Sequence, residues 1–168
     1  MTAMGSPLGR YAGKVSDTDT ATTVSVVLLD VPLRVWQRAS EHHDELMREM
    51  ALLALAPDPP VLPQRLTELV QLLGQTYGAA GARPDDDREA ALAQGRDRLD
   101  LRYEVPRSAG ADAARFRALL DEAEEYCRSE LLTLAQSEVE GAFSRWYIDE
   151  FVRQTSGEPP RAWPGPWD

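Results

Sequence analysis

Hydrophobic and polar positions alternate with a period of two in two short segments of the chain. Residues 22–31 (TTVSVVLLDV) are rich in β-branched side chains and stop before Pro32, which predicts a strand covered on both faces. Residues 98–105 (RLDLRYEV) alternate between apolar and charged side chains, which predicts a strand with one solvated face. Because a ribbon of two strands is only marginally stable, we expect the strands to pair and helices to cover them.

Elsewhere apolar positions recur every three or four residues, which is typical of helices. The first predicted helix spans residues 33–56 and ends at a group of prolines. Its narrow apolar stripe is formed by Trp36, Ala39, His43, Leu46, Met50 and Leu53. Four more helices are predicted over residues 63–78, 86–94, 111–128 and 137–155. The fold class is therefore expected to be α+β and predominantly helical, with about five helices and a small two-stranded sheet.

Local signals place two of these helix boundaries. A Gly- and Ala-rich stretch over 78–84 predicts a loop between the second and third helices. Asp86 with a glutamate three residues later has the spacing of a capping box at the start of the third helix. Ser137 and Glu140 have the same spacing at the start of the last helix.

The chain is expected to contain one domain, over residues 22–156. Residues 1–21 are small and polar without apolar periodicity, which predicts a disordered leader. Residues 157–168 (GEPPRAWPGPWD) form a tail rich in proline and tryptophan that is expected to be extended. Trp163 and Trp167 are expected either to fold back over apolar surface or to anchor a partner.

Charge and motifs exclude several classes of function. With 18 basic and 28 acidic side chains, the net charge of −10 argues against nucleic acid or an anionic membrane as the main partner. The single cysteine rules out an internal disulfide, and no apolar run is long enough to span a membrane. Since phosphate-loop, dinucleotide, metalloprotease and nucleophile-elbow motifs are all missing, we assign no cofactor and no catalytic residue. A cytoplasmic protein is expected.

The run Glu41-His42-His43-Asp44-Glu45 places five possible metal ligands side by side. Adjacent side chains on a helix point about 100° apart and do not converge on one ion. No metal site is therefore predicted, and His43 is expected to be a partly buried histidine of the apolar stripe.

The last predicted helix places a carboxylate on its apolar face. Glu150 lies four residues after Trp146, and a buried carboxylate needs a partner. Arg153 is the obvious partner, and His43 is a possible one across the helix interface. Two interpretations remain open: a structural ion pair, or a polar pocket for a ligand or partner side chain formed by His43, Trp146, Glu150 and Arg153.

A second candidate surface lies on the preceding helix. Its acidic residues are Asp121, Glu122, Glu124 and Glu125. Such a run is either a solvated helix face or an acidic docking patch for an arginine-rich partner. Cys127 falls on the apolar face of the same helix and is expected to be a small buried hydrophobe.

Four segments together resemble a known family. They are VVLLDVPLRVWQRASEHHDELMREMALL (26–53), RLDLRYEVP (98–106), LLDEAEEYCRSELLTLA (119–135) and FSRWYIDEFVRQTSGEPPRAW (143–163). They resemble a family of small uncharacterised actinobacterial proteins encoded beside sigma-factor partner-switching regulators: an anti-sigma kinase, an anti-sigma antagonist and a serine/threonine phosphatase. The resemblance implies a regulatory context and supplies no catalytic residue.

The sequence therefore predicts a non-enzymatic regulatory protein that binds signalling partners through an acidic helical surface. The anti-sigma kinase or the phosphatase is the expected partner. The alternative is a small-ligand sensor or minor enzyme that uses the pocket around His43, Glu150 and Arg153. A homodimer, joined through the stripe of residues 36–53 or through an edge of the small sheet, is also possible.

Overall fold

The computed structural model describes residues 22–129 and 137–166 of the chain. The elements follow the order β1 (Thr23–Pro32), α1 (Leu33–Ala54), α2 (Val61–Ala93), β2 (Arg98–Pro106), α3 (Ala109–Ser129) and α4 (Glu138–Thr155). The α+β class and the two-stranded sheet are confirmed. The leader expected over residues 1–21 lies outside the described residues.

Strands β1 and β2 pair antiparallel, with Val26 opposite Tyr103 and Leu28 opposite Leu101. These four side chains are buried under the helices, as the alternating pattern predicts. The other face of β1 is only partly covered. One extra residue of β1 bulges out between Leu28 and Val31, where Asp30 has a φ of 54°. The N–H of Asp30 is held by the carboxylate of Asp100 at 2.8 Å.

The edge of β1 that faces away from β2 is covered by the C-terminal part of the chain. The side-chain amide of Gln154 accepts from the N–H of Val27 at 2.8 Å and donates to its carbonyl at 2.7 Å. Two residues on, Leu29 forms a parallel bridge with Ala162 and accepts from the N–H of Trp163 at 3.3 Å. Backbone groups that another strand would otherwise bind are thus satisfied within the chain.

The apolar stripe of α1 is buried within the protein. Trp36, Ala39, Leu46 and Met50 are each at most 6% exposed, and α1 packs against α2 and α4. A second copy could therefore not use this stripe without opening the core.

Helix α2 differs from the prediction, because two expected helices are one. It runs without a break over 33 residues, through the stretch that the sequence predicted to be a loop, and includes Pro84. Gly78, Gly81 and Pro84 are all buried, so packing against neighbouring elements outweighs their low helix propensity. The predicted capping box at Asp86 does not start a helix, and the described residues contain four helices rather than about five.

Helix α4 begins where the sequence predicts. Ser137 accepts from the N–H of Glu140 at 3.3 Å, and the Glu140 carboxylate accepts from the N–H of Ser137 at 3.3 Å. This reciprocal capping box satisfies two backbone donors at the helix start.

Trp163 folds back onto the domain. This outcome is one of the two that the sequence predicted for the tail. It is 4% exposed, and its ring lies 5.5 Å from the rings of both Phe143 and Trp146. Its indole N–H donates to the carbonyl of Pro166 at 2.8 Å. Trp167 lies outside the described residues.

Replacing Gln154 with leucine is expected to lower the free energy of unfolding by about 2–4 kcal/mol, because the N–H and carbonyl of Val27 lose their partners. Urea denaturation followed by circular dichroism measures the change. Gln71→Leu, at an exposed position of α2, is the matched control. Equal stability of the two variants would show that Gln154 does not support the edge of β1.

Candidate functional site

The four helices and β2 surround a partly open cavity of about 130 Å³. Ligand sites in proteins are typically clefts or cavities with a mainly apolar lining, which is the character of this space. An engineered apolar cavity of about 150 Å³ in another protein stays dry and binds benzene. The wall is mainly apolar, and its aromatic members are Trp36, Tyr77, Tyr103, Phe116, Phe143, Tyr147 and Phe151.

Small residues leave the space open. Ala39 of α1, Ala80 and Gly81 of α2, and Ala109 and Ala113 of α3 all border the cavity. Larger side chains at such facing positions would interdigitate and fill the volume. The cavity therefore follows from the residue types at these positions.

His43 is the most unusual group on the wall. Its ring meets that of Phe116 edge to face, with 5.8 Å between the ring centroids. Burial lowers the pKa of His43 to about 4, with a smaller opposing effect of Asp44. In the part of the chain that the structure describes, neither ring nitrogen has a hydrogen-bond partner. At neutral pH the imidazole is uncharged and offers one donor and one acceptor at the cavity.

The tyrosine hydroxyls at the cavity already have partners. Those of Tyr103 and Tyr147 lie 2.5 Å apart, and that of Tyr77 donates to Asp112 at 2.5 Å. Burial raises the pKa of Tyr103 well above its usual value. Burial and the bond to Asp112 raise the pKa of Tyr77 to about 12. The hydroxyls of Tyr77 and Tyr103 therefore stay protonated over the physiological range.

A buried ion pair lies behind one wall, and the sequence interpretation missed it. Arg88 is 2% exposed, binds Asp85 at 2.7 Å and stacks 3.7 Å from the centre of the Trp36 ring. This arrangement combines charge pairing with a cation–π contact. The signal was present, because Tyr77, Gly81, Asp85 and Arg88 recur every three or four residues once α2 is treated as one helix.

Glu150 is fully engaged in a polar network. It is 1% exposed and accepts from Arg153 at 2.7 Å, from the amide of Gln154 at 2.9 Å and from the backbone N–H of Arg161 at 3.0 Å. Arg153 also binds Glu158, at 2.8 Å. The network ties α4 to β1 and to the tail, which is the role of a structural ion pair.

The four residues of the predicted pocket therefore lie in two environments. Glu150 and Arg153 close on each other, and Trp146 packs against aromatic rings. His43 lines the cavity, and none of the other three does. Sequence spacing identified the Glu150–Arg153 pair correctly as neighbours, whereas the placement of His43 depends on how the helices pack.

The predicted acidic patch is a solvated face of α3 that also carries arginines. Side-chain exposure is 53% for Asp121, 49% for Glu122, 26% for Glu124 and 72% for Glu125. Each carboxylate has an arginine nitrogen within 4 Å, contributed by Arg65, Arg117 or Arg128. The local negative charge is thus partly compensated.

Other kinds of site find little support in the described ranges. No group of three or more potential metal ligands comes together there, and none of the helices combines the length and apolar character needed to cross a bilayer. Cys127 is buried, and burial together with Glu49 and Glu124 raises the pKa of its thiol. The thiolate form is therefore disfavoured.

Comparisons with models of protein families, with curated proteins and with solved structures find no match for this chain. The resemblance to a family of proteins encoded beside partner-switching regulators stays a prediction. The functional argument therefore rests on the cavity and on the surfaces described above.

His43 makes stability depend on pH. Its pKa is lower in the folded state than the ordinary 6.5, so the unfolded chain takes up the proton first as the pH falls. The contribution of neutral His43 is present above pH 6.5 and is lost as the pH falls toward 4. Relative to His43→Leu, the wild type is expected to lose about 2–3 kcal/mol of unfolding free energy between pH 7 and pH 4.

Chemical denaturation at several pH values measures this difference. His42→Leu is the matched control, since His42 is the adjacent histidine and does not line the cavity. A constant difference between wild type and His43→Leu across this range would contradict the prediction.

Proposed function

We propose that this protein is a regulatory protein that binds a small, mainly apolar molecule in the cavity between its helices. The observation that carries the proposal is the cavity of about 130 Å³, with a mainly apolar wall and an uncharged His43. Ligand sites are typically apolar spaces with a few polar groups that orient the ligand. This is the ligand-sensor alternative, with His43 as its polar group and without Glu150 and Arg153.

The energetics of burial support the proposal. A ligand that enters the cavity removes its own apolar surface from water against the apolar wall, which is favourable by about 25 cal/mol per Å². Because the folded form binds and the unfolded chain does not, the ligand would raise the stability of the whole domain.

The position of the cavity suggests how binding could regulate. Every helix and β2 contribute to its wall. Filling it changes contacts on all five elements, among them α3, which carries the acidic patch on its exposed side. The domain then has a ligand-free and a ligand-bound state. A partner protein that binds one of these states more tightly than the other would respond to the ligand.

The test uses toluene as the probe. Saturating toluene is expected to raise the melting temperature of the wild type by several degrees, and isothermal titration calorimetry is expected to show one site. Ala113→Leu places a larger side chain at the cavity wall and is expected to abolish both effects.

Ala114→Leu, one residue along on the exposed side of α3, is the matched control and is expected to bind toluene normally. If Ala113→Leu does not fold, Ala80→Leu fills the cavity from α2 instead. Equal binding by the filled and control variants would refute the cavity as the site.

We propose partner binding through the acidic patch as a second function, which agrees with the regulatory context that the resemblance implies. The observation in its favour is the exposure of Glu122 and Glu125. In this proposal the partner is an anti-sigma kinase or phosphatase with a basic surface, and the arginines beside the patch would have to release their carboxylates.

Purified candidate partners test this directly. Binding measured by calorimetry at micromolar concentrations is expected to weaken at least tenfold in the double variant Glu122→Arg/Glu125→Arg. The control Glu45→Arg/Glu68→Arg changes charge equally at exposed positions of α1 and α2. An equal loss in both double variants would point to net charge alone, and no binding to either partner would reject the proposal.

A further inference from the structure

The chemistry of the cavity wall narrows the class of ligand, and this step rests on the function proposed above. We propose that the cavity takes a neutral molecule with one aromatic ring and one hydroxyl group, a phenol, whose hydroxyl hydrogen-bonds to His43. The charge of the wall, the hydrogen-bonding state of His43 and the shape of the cavity each support this class.

The wall disfavours ligands with a net charge. No lysine or arginine of the described chain lines the cavity, so an anionic ligand would have no counter-charge. The one charged side chain on the wall is Asp112, which already accepts from Tyr77. Burial at this wall also disfavours a positive charge on the His43 ring, since it lowers the pKa of that ring.

His43 favours a ligand that carries a hydrogen-bonding group. The side chain borders the cavity, and its uncharged imidazole has one donor and one acceptor to offer a ligand there. Ser40 lies three residues earlier on α1 and also borders the cavity, so a short polar strip faces apolar walls. The tyrosine hydroxyls are already bonded, and a hydroxyl group on the ligand matches the donor and the acceptor of His43.

The rest of the wall favours an aromatic ring. Phe116 already receives the His43 ring edge to face, and the other walls include Phe143 and Phe151. Aromatic rings gain from such offset and edge-to-face contacts beyond the area they bury. A volume of about 130 Å³ suits one six-membered ring with a small substituent.

The test compares phenol with toluene at pH 7 in wild type, His43→Leu and His43→Gln. His43→Leu is expected to weaken phenol about 3- to 10-fold relative to toluene, because only phenol loses a hydrogen bond. His43→Gln keeps a donor and an acceptor and is expected to restore most of the preference. In the wild type, the ¹⁵N chemical shifts of the His43 ring are expected to move with phenol and not with toluene.

Benzoate and benzylammonium test the charge of the ligand and are expected to bind at least tenfold more weakly than phenol. Tighter binding of either ion would overturn the assignment of a neutral ligand. If toluene binds but the phenol-to-toluene ratio and the His43 shifts do not respond, the hydroxyl assignment is wrong and the cavity still binds ligands. If neither phenol nor toluene binds the wild type, the proposed function fails as well.

Discussion

A two-stranded sheet has no interior strand, and the fold depends on how its backbone groups are satisfied from outside. Here the free edge of β1 is covered by a side chain and by the tail. The amide of Gln154 binds Val27 as a neighbouring strand would, and Ala162 bridges to Leu29. Glu150 holds Gln154 on one side and the backbone of Arg161 on the other. One buried carboxylate thus fixes both covers of the edge.

The central cavity contrasts with the edge of β1, because its wall is not closely packed. The N–H and carbonyl of Val27 have partners at the sheet edge, whereas small residues such as Gly81 and Ala113 border open space between the helices. Native sequences tolerate incomplete packing most readily where it serves binding. The uncharged ring of His43 lies at this cavity, although an apolar side chain would cost less free energy to bury there.

Local patterns in the sequence correctly predicted much of the fold. Alternation in residues 98–105 predicted which face of β2 is buried, and Ser137 with Glu140 marked the start of α4. The glycines and Pro84 of α2 led to the wrong prediction of a loop. Helix propensities describe an isolated chain, and in the folded protein the packing of α2 outweighs them. The pairing of Glu150 with Arg153 is a short-range feature that spacing can reveal. The cavity is not, because an empty volume depends on the relative positions of five elements.

The cover of β1 also sets an order for folding. Val27 and Gln154 are 127 residues apart in the sequence, and Trp163 lies further along still. During synthesis β1 is made early, while the groups that protect its edge are made more than a hundred residues later. Contacts so distant in sequence form slowly, and an uncovered strand edge can pair with other chains in the meantime. The nascent protein is therefore most prone to aggregate in the interval before α4 and the tail reach the sheet.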